Sequence, residues 1–169
     1  MTFDLLSGGG CMGAAMRAHD WASSPLGPPS GWPQPLKTLV GLLLAADQPM
    51  FIGWGPAHRL LYNDGYAPML AGRHPDALGR PFFEVWPEVR GELTPLFDTV
   101  SRGESVHMDD ITLQLDRPGR AGEAHFAFGY TPVRDEAGNV AGLFCACTET
   151  TDRVMADRRS VKELSLIHI

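Results

Sequence analysis

The stretch that most restricts the possible folds is residues 126–153, FAFGYTPVRDEAGNVAGLFCACTETTDR. Phe126, Phe128 and Tyr130 alternate with Ala127 and Gly129, so a strand points all three aromatics to one face. Asp135-Glu136-Ala137-Gly138-Asn139 is a turn in which Gly138 and Asn139 can supply positive φ. Val140 to Thr148 is apolar on both faces, the pattern of a central strand covered from both sides. Polar residues from Glu149 onward start a helix, with Thr150 or Thr151 as its cap.

The 169 residues suffice for one domain with appendages. A net charge of −6 argues against nucleic acid as a general partner. The longest apolar run, Leu39 to Ala46, falls far short of the roughly 18 residues of a membrane span, so no membrane partner is expected. The opening MTFDLLSGGGC has no basic region and too short an apolar one for a secretion signal, and reads as a flexible leader, with residues 1–20, rich in Gly and Ala, expected to be loose or marginally helical. Three cysteines, an odd number without scaffold spacing, fit a reducing cytoplasm. The abrupt apolar ending SLIHI has the character of an artificial tail or a cut helix.

Residues 21–35, WASSPLGPPSGWPQP, are too rich in proline for regular structure, and Trp21 and Trp32 pin them onto the domain. Leu36, Leu39, Val40, Leu43 and Leu44 follow helical spacing with one apolar stripe. Strands are expected at 50–54, 60–63, 108–116, 124–134 and 140–149. Short helices are expected at 64–71 and 89–102, with Asn63 or Asp64 capping the first, and a turn over 117–123.

Three blocks together are specific: RAHDWASSPLGPPSGWPQPL, LLYNDGYAPMLAGRHPDALGRPFFEVWPE and PVRDEAGNVAGLFCACTETT. They resemble the N-terminal PAS sensor domain of soluble bacterial, often hybrid, sensor histidine kinases. The resemblance spans roughly residues 20–160. At the exit, Glu149 stands where the family usually has Asp, and Thr150 where it has an apolar residue. The resemblance implies an α+β PAS fold, a five-stranded antiparallel sheet with short helices on one face, plus an N-terminal extension helix and a C-terminal linker helix. The divisions are 1–35, a flexible or extended segment; 36–48, the N-terminal helix; 49–151, the PAS domain; and 152–169, a signalling helix and tail.

The resemblance also implies a small-molecule pocket under the helices. Its candidate lining is Ile52, Trp54, Tyr66, Phe126, Phe128, Tyr130, Leu143, Cys145 and Cys147, with Trp86 as a further wall or cap. Residues 143, 145 and 147 share a strand face, and the position matching Cys147 faces the ligand in flavin-binding relatives. The signal exit is Glu149, Thr150, Thr151, Asp152 and Arg153. The flavin-adduct motif NCRFLQ is replaced by GRHPDALGRPF, and Glu88 to Arg102 carries no histidine where haem-binding relatives have theirs. Flavin and haem are therefore disfavoured, and the cofactor is unknown. No histidine has ligand-like spacing, and Asp109, Asp110 and Asp116 read as solvated strand-edge charges. Cys145 and Cys147 are small buried hydrophobes or a redox or soft-metal pair. Their Cα atoms, about 6.6 Å apart on a strand, stand at the edge of disulfide geometry.

Nucleophile-elbow, phosphate-loop, metalloprotease, phospho-acceptor and nucleotide-lid motifs are absent, so no enzyme activity is expected. The first reading is a cytoplasmic sensing and dimerisation module, homodimeric through residues 36–44, feeding a downstream kinase module. The alternative is a ligand-free protein–protein interaction module. A third reading, an enzyme with a Cys145 or Cys147 nucleophile, lacks an evident base.

Overall fold

A computed structural model describes residues 8–117 and 122–167, with side chains described up to residue 164. The first seven residues of the leader, most of the turn at 117–123 and the end of the tail lie outside the described residues. Five strands, β1 Met50–Trp54, β2 Arg59–Tyr62, β3 Val106–Leu115, β4 Gly122–Arg134 and β5 Val140–Glu149, form one antiparallel sheet in the order β2-β1-β5-β4-β3. The strand that is apolar on both faces, β5, is the central one. Its turn from β4 is closed by Asp135, whose carboxylate accepts from the N–H of Ala137 and Asn139 at 2.9 and 3.0 Å. Gly138, at φ +88°, supplies the positive φ.

Helices α1 Gly10–Ala18 and α2 Gln34–Ala45 precede the sheet. Between β2 and β3 lie α3 Ala67–Leu70, α4 Phe82–Val85 and α5 Arg90–Ser101, and α6 Thr151–Ile167 leaves from β5. The expected helix over 64–71 is shorter, Ala67–Leu70, and the turn that leads into it is capped by Asn63. Its side chain is buried, donates to the carbonyls of Leu43, Ala46 and Gln48 and accepts from the N–H of Met50 and Tyr66. One amide thus ties the end of α2 to β1 and to the approach to α3.

Of residues 1–20, expected to be loose or marginally helical, the described part holds a packed helix. Asp64 accepts from the N–H of Cys11 and Met12 at 3.1 and 2.7 Å, capping α1. Gly10, at φ +60°, leaves room for that carboxylate, since a Cβ would stand 2.2 Å from it. Met12 and Met16 are fully buried. The Trp21 and Trp32 indoles donate to the carbonyls of Met16 and Gly27 at 2.8 and 3.0 Å and meet edge to face at 5.1 Å. The proline-rich stretch is therefore a packed strap. In α2, Leu36, Val40, Leu43 and Leu44 are buried within the chain, while Leu39 is half-buried and Leu42 exposed. The apolar stripe expected to be free for pairing is already spent on its own domain.

Candidate functional site

Residues paired across a sheet share a face, and that rule sorts the candidate residues. Phe51 stands opposite Cys145, Tyr130 opposite Cys145 on the other side, and Phe128 opposite Cys147. These side chains point toward α3, α4 and α5. Between sheet and helices lies an interior cavity of about 50 Å³. Of the candidates, Tyr66, Phe126, Phe128, Tyr130, Cys145 and Cys147 line it, as does Trp86.

Ile52, Trp54 and Leu143 do not line it. Ile52 pairs with Phe144 and Trp54 with Gly142, which places both on the opposite face. Trp54 lies over Gly142, where an added Cβ would come within 2.6 Å of the indole. Leu143 shares the face of the cysteines but stands one pair further along, in a separate hollow with His58 and Val100. The cavity residue of β1 is Phe51, its neighbour in sequence. The run MFIGW is apolar at both alternations, so periodicity carries no information on which set faces inward. The wall also takes in Val89, Leu113 and Leu115, and Phe82 of α4, Leu93 of α5 and Met69 of α3, none of them a sequence candidate. The helices α3, α4 and α5 are too short, or too interrupted by proline, for a readable stripe.

The wall is apolar with a few polar tips. The Trp86 indole donates to the Tyr66 hydroxyl at 3.2 Å. Arg73 stacks over Trp86 with its guanidinium 4.3 Å from the ring and forms a two-armed ion pair with Glu88. Burial opposes the Glu88 charge, yet Arg73 and the Asp116 N–H together hold its carboxyl below the usual range. This clamp closes the helical layer over the cavity. Burial pushes Tyr66 and Tyr130 well above the ordinary phenol value, and the neighbouring thiols add to it. Burial likewise pushes the Cys145 thiol up. A neutral thiol in such surroundings is a poor nucleophile.

The exit corner is different. Glu149 ends β5 on the cavity face, and its carboxylate takes both arms of the Arg117 guanidinium at 2.8 Å. Arg117 is 2% exposed and also donates to the Met69 carbonyl at 3.2 Å. The Thr151 hydroxyl donates to Glu149 at 2.7 Å and accepts from the His125 N–H at 3.0 Å. Thr150 donates its N–H to the His125 carbonyl at 2.8 Å, and its own carbonyl accepts from Val154 in the first turn of α6. Asp152 and Arg153 are exposed on that turn. A continuous set of contacts therefore runs from Met69 in the cavity wall through Arg117 and Glu149 into α6.

His125 sits beside this path, buried between β3, β4 and α6. Its Nε2 faces Glu123 at 2.9 Å, and its Nδ1 faces Asp110 at 3.1 Å and the Thr112 hydroxyl at 3.3 Å. Arg158 of α6 pairs with the same Glu123. The bond to Glu123 and the nearby Asp110 carboxylate raise the histidine pKa, and Glu123 is correspondingly held low. A bulge at Asp109 and Asp110, between Met108 and Ile111, brings Asp110 round to the imidazole. Neither Arg117 nor His125 was singled out in the sequence as part of the exit, because their partners lie 32 and 26 residues away.

Among the described residues no helix is long and apolar enough to cross a membrane. The chain resembles known proteins in fold. The PAS domain of Bordetella pertussis BvgS aligns at 20% identity and a TM-score of 0.56, over 76% of this chain and 96% of that domain. An RNA-binding light-oxygen-voltage receptor aligns over 86% of this chain at 22% identity and a TM-score of 0.55, and this chain spans 40% of that receptor's length. The family model described as the PAS fold matches residues 57–155, from the turn after β1 into the first turns of α6. With more than half of its residues matched by that model, the chain belongs to the PAS family of signal-sensing domains.

Proposed function

We propose that this PAS domain is the sensing module of a two-component sensor histidine kinase, and that α6 carries its signal to a downstream kinase module. One observation carries the reading. Glu149 joins the cavity wall, through Arg117 and Met69, to the first turn of α6 through Thr151. A change in the cavity that shifts Met69 alters the geometry of a buried ion pair, and such a pair tolerates little misalignment. The domain itself performs no phosphoryl transfer, and its working location is the cytoplasm. The full protein acts as a homodimer. With the α2 stripe buried, the exposed large apolar side chains among the described residues are Leu42 on α2 and Val161 and Leu164 on α6, and the α6 pair is the one offered for pairing.

The test is autophosphorylation of the full-length kinase carrying Glu149→Gln, which keeps the shape and removes the charge. Altered basal activity with unchanged nucleotide affinity supports the coupling. Unchanged activity and unchanged response sink it. A second reading, a ligand-free interaction module, is favoured by the cavity's small volume. Mass spectrometry of gently purified protein separates the two, because only a sensor with an occupied cavity releases a bound molecule or ion.

A further inference from the structure

The size and sulfur content of the cavity point to a ligand class that its aromatic lining alone does not. The inference rests on reading this cavity as the sensing site. A volume of about 50 Å³ is well below the roughly 150 Å³ of an apolar cavity known to accept benzene. An organic ring would have to push the wall apart, whereas a single ion would not.

Three sulfur atoms meet in the wall from two elements. Cys145 and Cys147 share one face of β5, and Met69 reaches them from α3. The Cys147 Sγ is 3.8 Å from the Met69 Sδ, and Cys145, two residues before Cys147, lines the same cavity from the same face of β5. With metal–sulfur bonds of about 2.3 Å, three sulfurs around a trigonal ion stand about 4.0 Å apart. The spacing of Cys147 and Met69 is close to that before any ion enters. None of the three residues is more than 8% exposed. The cavity lining includes no carboxylate and no imidazole. Thiolate and thioether ligands suit soft ions such as Cu(I), and two thiolates with one thioether fall short of the four ligands of a closed zinc site.

We propose that Met69, Cys145 and Cys147 form a trigonal site for a soft monovalent metal ion, Cu(I). On loading, two S–Cu bonds replace two S–H bonds and both protons leave to solvent. The thioether binds through a lone pair, and the copper keeps its oxidation state throughout. The filled site carries one net negative charge. Arg117 donates to the Met69 carbonyl and holds Glu149. The new charge draws on the guanidinium that anchors the exit, so occupancy is felt at α6.

The experiment uses the whole chain with Cys11→Ser, which removes the exposed thiol, reduced and free of oxygen. Cu(I) is titrated against a chromophoric Cu(I) chelator, with Ag(I) and Zn(II) in parallel. The expected result is one Cu(I) or Ag(I) per chain, a near-ultraviolet thiolate-to-copper band, a raised melting midpoint, and no comparable uptake of Zn(II). Cys147→Ser should weaken Cu(I) binding by about 100-fold or more and Met69→Leu by about 10-fold, judged against the cost of losing even an outer partner. Met69→Leu nearly conserves volume, so it tests the site even if Cys147→Ser fails to fold. No Cu(I) uptake, equal uptake of Zn(II), or unchanged affinity in folded Met69→Leu would overturn the proposal. If copper binding fails while Glu149→Gln still alters kinase output, the metal site alone is refuted and the coupling reading stands.

Discussion

Cys147 and Glu149 are two residues apart on the same face of β5, and their surroundings differ in kind. Around Cys147 stand Phe128, Met69 and Tyr66, apolar or neutral groups held by burial and packing. Around Glu149 stand Arg117, Thr151 and, one step further, His125, each placed by a directional hydrogen bond. A packed apolar wall can exchange one side chain for another of similar volume at modest cost. A buried polar corner cannot lose one member without stranding the next. The wall is thus where the domain tolerates exchange, and the corner is where it does not.

The sharpest way to break this contrast is at Glu149. Glu149→Ala leaves Arg117 charged, buried and unpaired, and should cost about 3–5 kcal/mol in urea denaturation. The double change Arg117→Met with Glu149→Leu should recover most of that, since an apolar pair of similar volume often replaces a buried ion pair without loss. A double variant as unstable as the single one would show that the corner is held by something other than the pair.

In the wall, Phe128→Leu should cost only about 1 kcal/mol, because it removes packing without stranding a polar group. A loss as large as that of Glu149→Ala would erase the distinction between the two regions.

A third test reads the corner by pH. The folded pKa of His125 is raised, first by its bond to Glu123 and then by Asp110. Its contribution to stability is therefore fully present below the ordinary histidine value of about 6.5 and is lost as pH rises through the higher folded value. Denaturation curves through that window should show stability falling with pH, and His125→Gln should flatten the slope. An unchanged slope in that variant would remove His125 from the corner's electrostatics.

The smallest effect on stability is expected at Cys11, which is exposed. Cys11→Ser should change stability by no more than about 0.5 kcal/mol. In the native protein a water-soluble thiol reagent should modify Cys11 at once and reach Cys145 and Cys147 only on unfolding. Fast modification of all three would mean that the wall opens readily.

The long strands were legible because each carries its own pattern. Phe126, Phe128 and Tyr130 announce one face of β4, and the two-faced apolar run of β5 announces a centre. β1 was found but its inward face was not: Ile52 and Trp54 were expected where Phe51 stands, since both alternations of MFIGW are apolar. The N-terminal segment was left between loose and marginally helical for another reason. Its helix of nine residues has its cap at Asp64, which a local pattern cannot show.

By itself the amino-acid sequence determined the five strands, the helices α2, α5 and α6, the turn at Gly138, and the aromatic and thiol face of the last two strands. All of these depend on neighbours within a few residues, where backbone periodicity and turn chemistry act. Only the tertiary structure decided which face of β1 meets the cavity, that the strap from Trp21 to Trp32 packs on its own domain, and that Arg117 holds the exit. Those depend on partners tens of residues apart in the chain. Their pairing is settled by burial and charge satisfaction in the folded state, which leaves no periodic trace in the order of residues.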